Sequence, residues 1–193
     1  MKRFLPYIAL LLVTAELLLI LLSWILSAAM PMSGIRSMLS SEGIRWFLGH
    51  FVEILAHPVL VWLILLAMSY GCIRHCAIFD VRHTYRFTRA RWLSALVLMA
   101  YVVVILLLTI VPRAVLLSAS GTLWPSPFSS ALVPLIAFGL LVFSMVYGLV
   151  AGTFQSFSDV YDSLLSGIRS AAPLLLFYVL LSQFFYSLCF VFM

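Results

Sequence analysis

The sequence is short of charge. Only 9% of its 193 residues are Asp, Glu, Lys or Arg, and just six residues are acidic. Soluble domains carry about 25% charged residues, so a water-facing globule is excluded. Cysteine is scarce as well. Cys72, Cys76 and Cys189 are too few for the disulfide framework of a small secreted domain. Cys72, His75 and Cys76 read C-x-x-H-C, which is neither a zinc nor a haem-attachment spacing, and no second ligand pair occurs elsewhere. No metal site and no cofactor is expected. The apolar runs show no alternation of apolar and polar residues, which excludes a membrane β-barrel. One short alternation, Val81, His83, Tyr85 and Phe87 against Arg82, Thr84, Arg86 and Thr88, fits a strand or hairpin in a loop.

Apolar residues are abundant, at 65%, with 15% aromatics. Runs of about 20 such residues match the hydrocarbon core of a bilayer, about 30 Å thick. The expected fold class is an all-α integral membrane protein, a single membrane domain over residues 1–193 with about five transmembrane helices. The spans fall at about 5–29, 48–73, 92–112, 131–152 and 171–193. The first run, Phe4 to Ala29, ends in small residues like a secretory signal. It is too long for one and contains Glu16, so it reads as a retained span. Pro112 closes the third span, Pro134 opens the fourth, and Pro58 is expected to kink the second.

Two connections look like interfacial amphipathic helices, at about 33–47 and 157–169. The first carries Ile35, Met38, Leu39, Ile44 and Phe47 among polar residues. The second sets Phe157, Val160, Tyr161, Leu164 and Ile168 opposite Ser158, Asp159, Asp162 and Ser163, with Ser158 as expected cap. Residues 74–91 form a basic loop. Its arginines interleave with Phe79, Tyr85 and Phe87, a mixture that suits anionic lipid headgroups better than nucleic acid. No nucleic-acid partner is expected.

With the N-terminus inside, eight basic residues (Lys2, Arg3, Arg74, Arg82, Arg86, Arg89, Arg91 and Arg169) face the cytoplasm. Three (Arg36, Arg45 and Arg113) face out. That asymmetry follows the positive-inside rule. It predicts a multi-pass protein of a bacterial-type inner membrane, with a cytoplasmic N-terminus.

Several polar residues interrupt the spans. Glu16 lies about halfway along the first, where a charge is costly unless paired. Ser23 and Ser27 share its face, and that stripe must turn toward other helices. A structural hydrogen bond and a transport carboxylate both fit. His50, Glu53 and His57 fall at i, i+3 and i+7, on one helix face. Their order is not H-E-x-x-H, and no nucleophile accompanies them, so an enzyme is not expected. They form either a hydrogen-bonded polar cluster at the outer mouth or a proton- or ion-sensitive site. Gln183 and Ser187, one turn apart, suit bonds to another helix. Ser144, Gly148 and Gly152 recur every four residues, a small-residue face for helix packing within the chain or between protomers.

Four stretches together resemble the AbgT family of p-aminobenzoyl-glutamate transporters. They are SGIRSMLSSEGIRWFL (33–48) with AMSYG (67–71), LTIVP (108–112), SPFSSALVPLIAFGLLVFSMVYGLVAGTFQSFSDVYDSL (126–164) and SQFFY (182–186). Within the third, Ser126, Pro127, Phe128, Val133, Pro134, Tyr147, Gly148, Gly152, Asp159 and Val160 carry the pattern. The resemblance implies that Ser41, Glu42 and Arg45 cap and anchor the helix that leads into the second span. It also implies a transport-related protein built as the scaffold part of a secondary transporter. Family members are longer. The basic loop stands where they have further spans and a hairpin, and the chain ends at Met193 where a Ser-Asn-Leu-Gly segment would follow. YGCIRHC (70–76) replaces an acidic segment. The absent hairpins argue against independent transport, and no substrate or sodium ligand is carried over. The alternative is a non-transporting scaffold or a subunit of a larger membrane complex. The expected partners are the lipid bilayer and either a second copy or a partner membrane chain.

Overall fold

A computed structural model describes residues 4–32, 34–76, 85–110 and 127–193. Six helices follow in order: α1 (Leu5–Ala29), α2 (Ser41–Leu55), α3 (Pro58–His75), α4 (Tyr85–Ile110), α5 (Pro127–Ala151) and α6 (Phe157–Phe192). No strand occurs among the described residues. All but α2 contain a stretch long and apolar enough to cross a membrane. Leu10, Leu11, Leu17, Leu18, Leu21 and Leu22 of α1 all stay exposed, a surface that only lipid can cover at low cost. The protein is an all-α, multi-pass membrane protein.

Three boundaries differ from the sequence expectation. The stretch 48–73 is two helices and not one kinked span. Pro58 has no N–H, collides with the preceding turn and disfavours helical geometry at His57. So α2 stops at Leu55, the Ala56 N–H turns back onto the Val52 and Glu53 carbonyls, and Pro58 starts α3. Residues 34–40 are not helical. The Ser37 and Ser40 side chains bond nearby backbone, which competes with helix formation, and the cap of α2 is Ser40, whose Oγ accepts the Gly43 N–H at 3.0 Å. At the C-terminal end, the amphipathic segment and the last span are one 36-residue helix, α6, with Pro173 inside it. Of the expected basic loop, 77–84 lie outside the described residues, while Tyr85 to Arg91 form the first turns of α4. The part of the expected hairpin that is described is therefore helical. Pro112 and Arg113 also lie outside the described residues.

The chain divides into two compact units. Unit 1 is Met1–Val61 with Ala172–Met193, and unit 2 is Trp62–Ala171. In unit 1, Leu19, Met38, Phe190 and Val191 form the core, flanked by Ile35, Trp46 and Phe47. Trp46 stacks on Phe190 with ring centroids 4.5 Å apart. The 34–40 segment is pinned at both ends: Arg36 N–H donates to the Val191 carbonyl at 3.1 Å, and Met38 N–H to Ser23 Oγ at 3.1 Å.

In unit 2, α4 packs on α5, and Cys76, Ala90, Tyr147, Ala151 and Phe154 form the core. The turn from α5 to α6 is closed by two caps. Gly152 (φ 74°) adopts the left-handed geometry that glycine tolerates, and Thr153 N–H and Gly152 N–H bond the Gly148 and Leu149 carbonyls. Ser156 caps α6, its Oγ accepting the Asp159 N–H at 3.4 Å, and Asp159 reaches back, its Oδ2 accepting from Gln155 N–H at 2.7 Å and Ser156 N–H at 2.9 Å. Ser158 is inside the first turn and does not cap. Arg86 Nε donates to the Val150 carbonyl at 3.4 Å, placing a cation at the C-terminal end of α5 where the helix dipole favours it.

Candidate functional site

The polar groups of the membrane helices fall into two kinds. In unit 2 they are consumed by helix packing. Ser69 Oγ donates to the Ala137 carbonyl at 2.7 Å, joining α3 to α5. Cys72 Sγ and Ser163 Oγ share a hydrogen at 3.2 Å, joining α3 to α6. Cys76 Sγ donates to the Ser144 carbonyl at 3.2 Å, and Tyr101 Oη to the Leu135 carbonyl at 3.0 Å. The groove between α4 and α5 is lined by apolar groups such as Leu98, Val102, Ile105 and Ile136. Nothing there offers a polar solute a hydrogen bond.

The expected packing face on α5 serves the chain's own fold. A Cβ on Gly148 would stand 2.8 Å from Cys76 Sγ and overlap the Phe154 ring. Gly152 belongs to the helix cap, and Ser144 is fully buried with its Oγ on the Leu141 carbonyl. The tightest crossing lies elsewhere. Gly71 of α3 and Gly167 of α6 touch backbone to backbone, with no room for a Cβ on either. Its sequence signal was there to read: Ala67-x-x-x-Gly71 facing Ser163-x-x-x-Gly167, two small-residue pairs at the spacing that lets helices approach.

Unit 1 is different. On α1, Glu16 Oε1 accepts a hydrogen bond from Ser187 Oγ of α6 at 2.6 Å. Its other oxygen, Oε2, is buried with no partner. Gln183 precedes Ser187 by one turn on the same face of α6. It is 7% exposed, and neither its amide oxygen nor its amide nitrogen has a partner. Ser23 shares the Glu16 face as expected and is fully buried, but its hydroxyl is occupied by the Ile20 carbonyl and the Met38 N–H. No Lys, Arg or His bonds Glu16 among the described residues. A lone carboxylate in mid-span costs about 3 kcal/mol or more, and each unpaired buried polar group a further ~1–3 kcal/mol. This arrangement is expensive for packing alone.

His50, Glu53 and His57 are not brought into that cluster by any bond among the described residues. His50 Nδ1 lies 3.2 Å from the Trp46 carbonyl. His50 Nε2 and Glu53 Oε2 stand 3.9 Å apart, both well exposed, and such a pair contributes little. His57 leaves their face because α2 ends before it. Its Nδ1 instead accepts the Val59 N–H at 3.5 Å, at the start of α3. Three acid-base groups predicted on one face thus become an exposed pair and a separate cap. Among the described residues no three His, Cys, Asp or Glu side chains cluster as metal ligands.

A family model for the AbgT transporters matches residues 83–190, more than half of the chain. The chain belongs to the AbgT transporter family. It is a transport-related membrane protein, in a family of transporters. No match was found among curated proteins, and none among solved structures. The AbgT match takes in α4, α5 and nearly all of α6, so Gln183 and Ser187 lie inside it and Glu16 outside. The run 33–48 also lies outside the matched residues.

Proposed function

We propose that this chain is the scaffold part of an AbgT-type secondary transport system. It acts with a second copy or a partner membrane chain, and it is not an enzyme. It sits in a bacterial-type inner membrane with its N-terminus in the cytoplasm, in keeping with eight basic residues on that side against three on the other. One observation carries the scaffold reading. In unit 2, which holds most of the family match, the inward polar groups of α3, α5 and α6 are spent on one another. Secondary transporters bind solute at broken helices near the midplane, where backbone and side-chain groups are left free. Groups already bonded to neighbouring helices hold a frame and have no capacity left for a solute. The exposed pair His50 and Glu53 and the cap His57 fit an outer-surface anchor better than a pathway.

The decisive experiment pairs two measurements. Native mass spectrometry of the chain, extracted gently from its own membrane, reads its partners. Flux into proteoliposomes then compares the isolated chain with the intact complex, using p-aminobenzoyl-glutamate, the solute that the family resemblance implies. The expected result is a defined complex, with flux only in the assembled state. Flux by the isolated monomer would refute the scaffold reading. A defined complex that moves no solute under any ion gradient would favour the second reading, a non-transporting subunit.

A further inference from the structure

Gln183 poses a problem that packing does not solve. A buried amide normally finds at least one partner. Here both amide atoms are orphaned, one turn before Ser187, whose hydroxyl bonds a carboxylate that carries an orphaned oxygen of its own. We propose that Glu16, Gln183 and Ser187 form a binding site for one sodium-sized monovalent cation, held between α1 and the C-terminal half of α6 within unit 1.

Charge fixes the valence. Glu16 is the one ionisable group in the cluster, and no basic side chain among the described residues bonds it. A single positive charge balances it, whereas a divalent ion would leave an excess charge in a low-dielectric site. Ligand type narrows the class. The available donors are a carboxylate oxygen, an amide oxygen and a hydroxyl oxygen, which suit hard cations and not the softer transition metals. Ser187 can donate its hydrogen to Glu16 Oε1 and still offer a lone pair to an ion. Neither Glu16 Oε2 nor Gln183 Oε1 has a hydrogen-bond partner, so both are free to turn toward one ion.

The site deepens the transport reading by naming a class of coupling ion. Its test needs no flux, so the two can fail separately. The full chain is unfolded by heat in micelles while sodium chloride replaces choline chloride at constant ionic strength, at pH 6 and at pH 8. The expected result is a Tm that rises with sodium and saturates. Glu16→Gln, nearly the same shape, should melt near the wild-type Tm in choline and lose the response. Gln183→Ala should need about tenfold more sodium or higher for the same shift, the equivalent of one lost ligand. Ser182→Ala, on a neighbouring face of α6, should respond like wild type. A wild-type Tm that ignores sodium at both pH values overturns the proposal, as does a Glu16→Gln chain that still responds. A response to pH alone also overturns it, because a proton then fills the role. Should Glu16→Gln fail to fold, binding of radioactive sodium to the wild-type chain decides: one ion per chain, weakened by Gln183→Ala, supports the site, and no binding refutes it.

Discussion

Replacing Gly167 with alanine should weaken the protein, although alanine is the better helix former. At this position a Cβ would overlap the Ala67 carbonyl oxygen and stand 2.9 Å from both the Ala67 carbonyl carbon and the Gly71 nitrogen. All three are backbone atoms of α3 and cannot swing aside. Ordinary carbon contacts begin near 3.5 Å, so α3 and α6 must part by about 0.5–1 Å. Overpacking of that kind costs about 1–3 kcal/mol. The same movement stretches the Cys72–Ser163 contact from 3.2 Å and weakens it, and an interhelical bond in a membrane contributes about 0.6 kcal/mol. The helix propensity of alanine returns about 1 kcal/mol. The net expectation is a loss of about 0.5–2.5 kcal/mol.

Gly49 supplies the control. It lies inside α2 with nothing within 4 Å of a Cβ placed there, so Gly49→Ala should gain about 0.5–1 kcal/mol. The same chemical change therefore carries opposite signs at two helical sites. Equilibrium unfolding in mixed micelles, followed by far-ultraviolet circular dichroism, measures both. A double-mutant cycle adds a mechanism test: Cys72→Ala should cost more stability in the wild-type chain than in the Gly167→Ala chain. If Gly167→Ala proves as benign as Gly49→Ala, the helices do not cross at Gly71 and Gly167, and the packing account of unit 2 falls with them.

Three further outcomes are expected. Asp159→Ala removes the acceptor for two backbone N–H groups at the start of α6 and should cost about 1–2 kcal/mol, visible as a lower Tm; an unchanged Tm would mean that the cap is not formed. Gly152→Ala forces a side chain into left-handed geometry (φ 74°) beside the Arg86 guanidinium and should cost about 1–2 kcal/mol in the same melt, with no loss expected only if the turn has rearranged. A membrane-permeant maleimide applied to the native chain should modify Cys189 first, because Cys72 and Cys76 are 0% and 1% exposed and bonded through sulfur; all three should react after denaturation, and early labelling of Cys76, read by mass, would contradict the closure of α3 onto α5.

Composition made the fold class legible, because apolar runs of this length have few alternatives to spanning a membrane. The intramembrane candidates Glu16 and Gln183 were legible for the same reason: a polar residue in such a run is conspicuous. The misplaced boundaries share a cause. Hydropathy continues through Pro58 and so suggests a kink, yet hydropathy is blind to whether neighbouring helices can satisfy the freed backbone groups. Residues 34–40 have helical spacing of apolar groups, but Ser37 and Ser40 bond the local backbone first. Ser144, Gly148 and Gly152 drew attention by their regularity. Two of those positions answer to Phe154, Cys76 and a helix cap, while the close crossing uses Ala67, Gly71, Ser163 and Gly167 from two distant segments. A spacing rule finds small residues on one helix. It cannot say which helix lies opposite.

The two units treat polar groups in opposite ways, and the proposed cation site rests on that contrast. In unit 2 hydroxyls and thiols bond neighbouring carbonyls or each other, so removing one leaves a partner orphaned and the cost is structural. In unit 1 the orphans already exist: Glu16 Oε2, both amide atoms of Gln183, and the Tyr178 hydroxyl. Repacking with apolar residues of similar volume would spare a buried carboxylate and amide their desolvation cost, and such replacements are often neutral or stabilising. Leaving Glu16 Oε2 and the Gln183 amide without partners therefore costs stability that the proposed cation would restore. In a family of transporters, a cation is a natural claimant. The pair Glu16 and Gln183 is thus a better guide to mechanism than the exposed His50 and Glu53, whose contact with water makes their pairing worth little in either state.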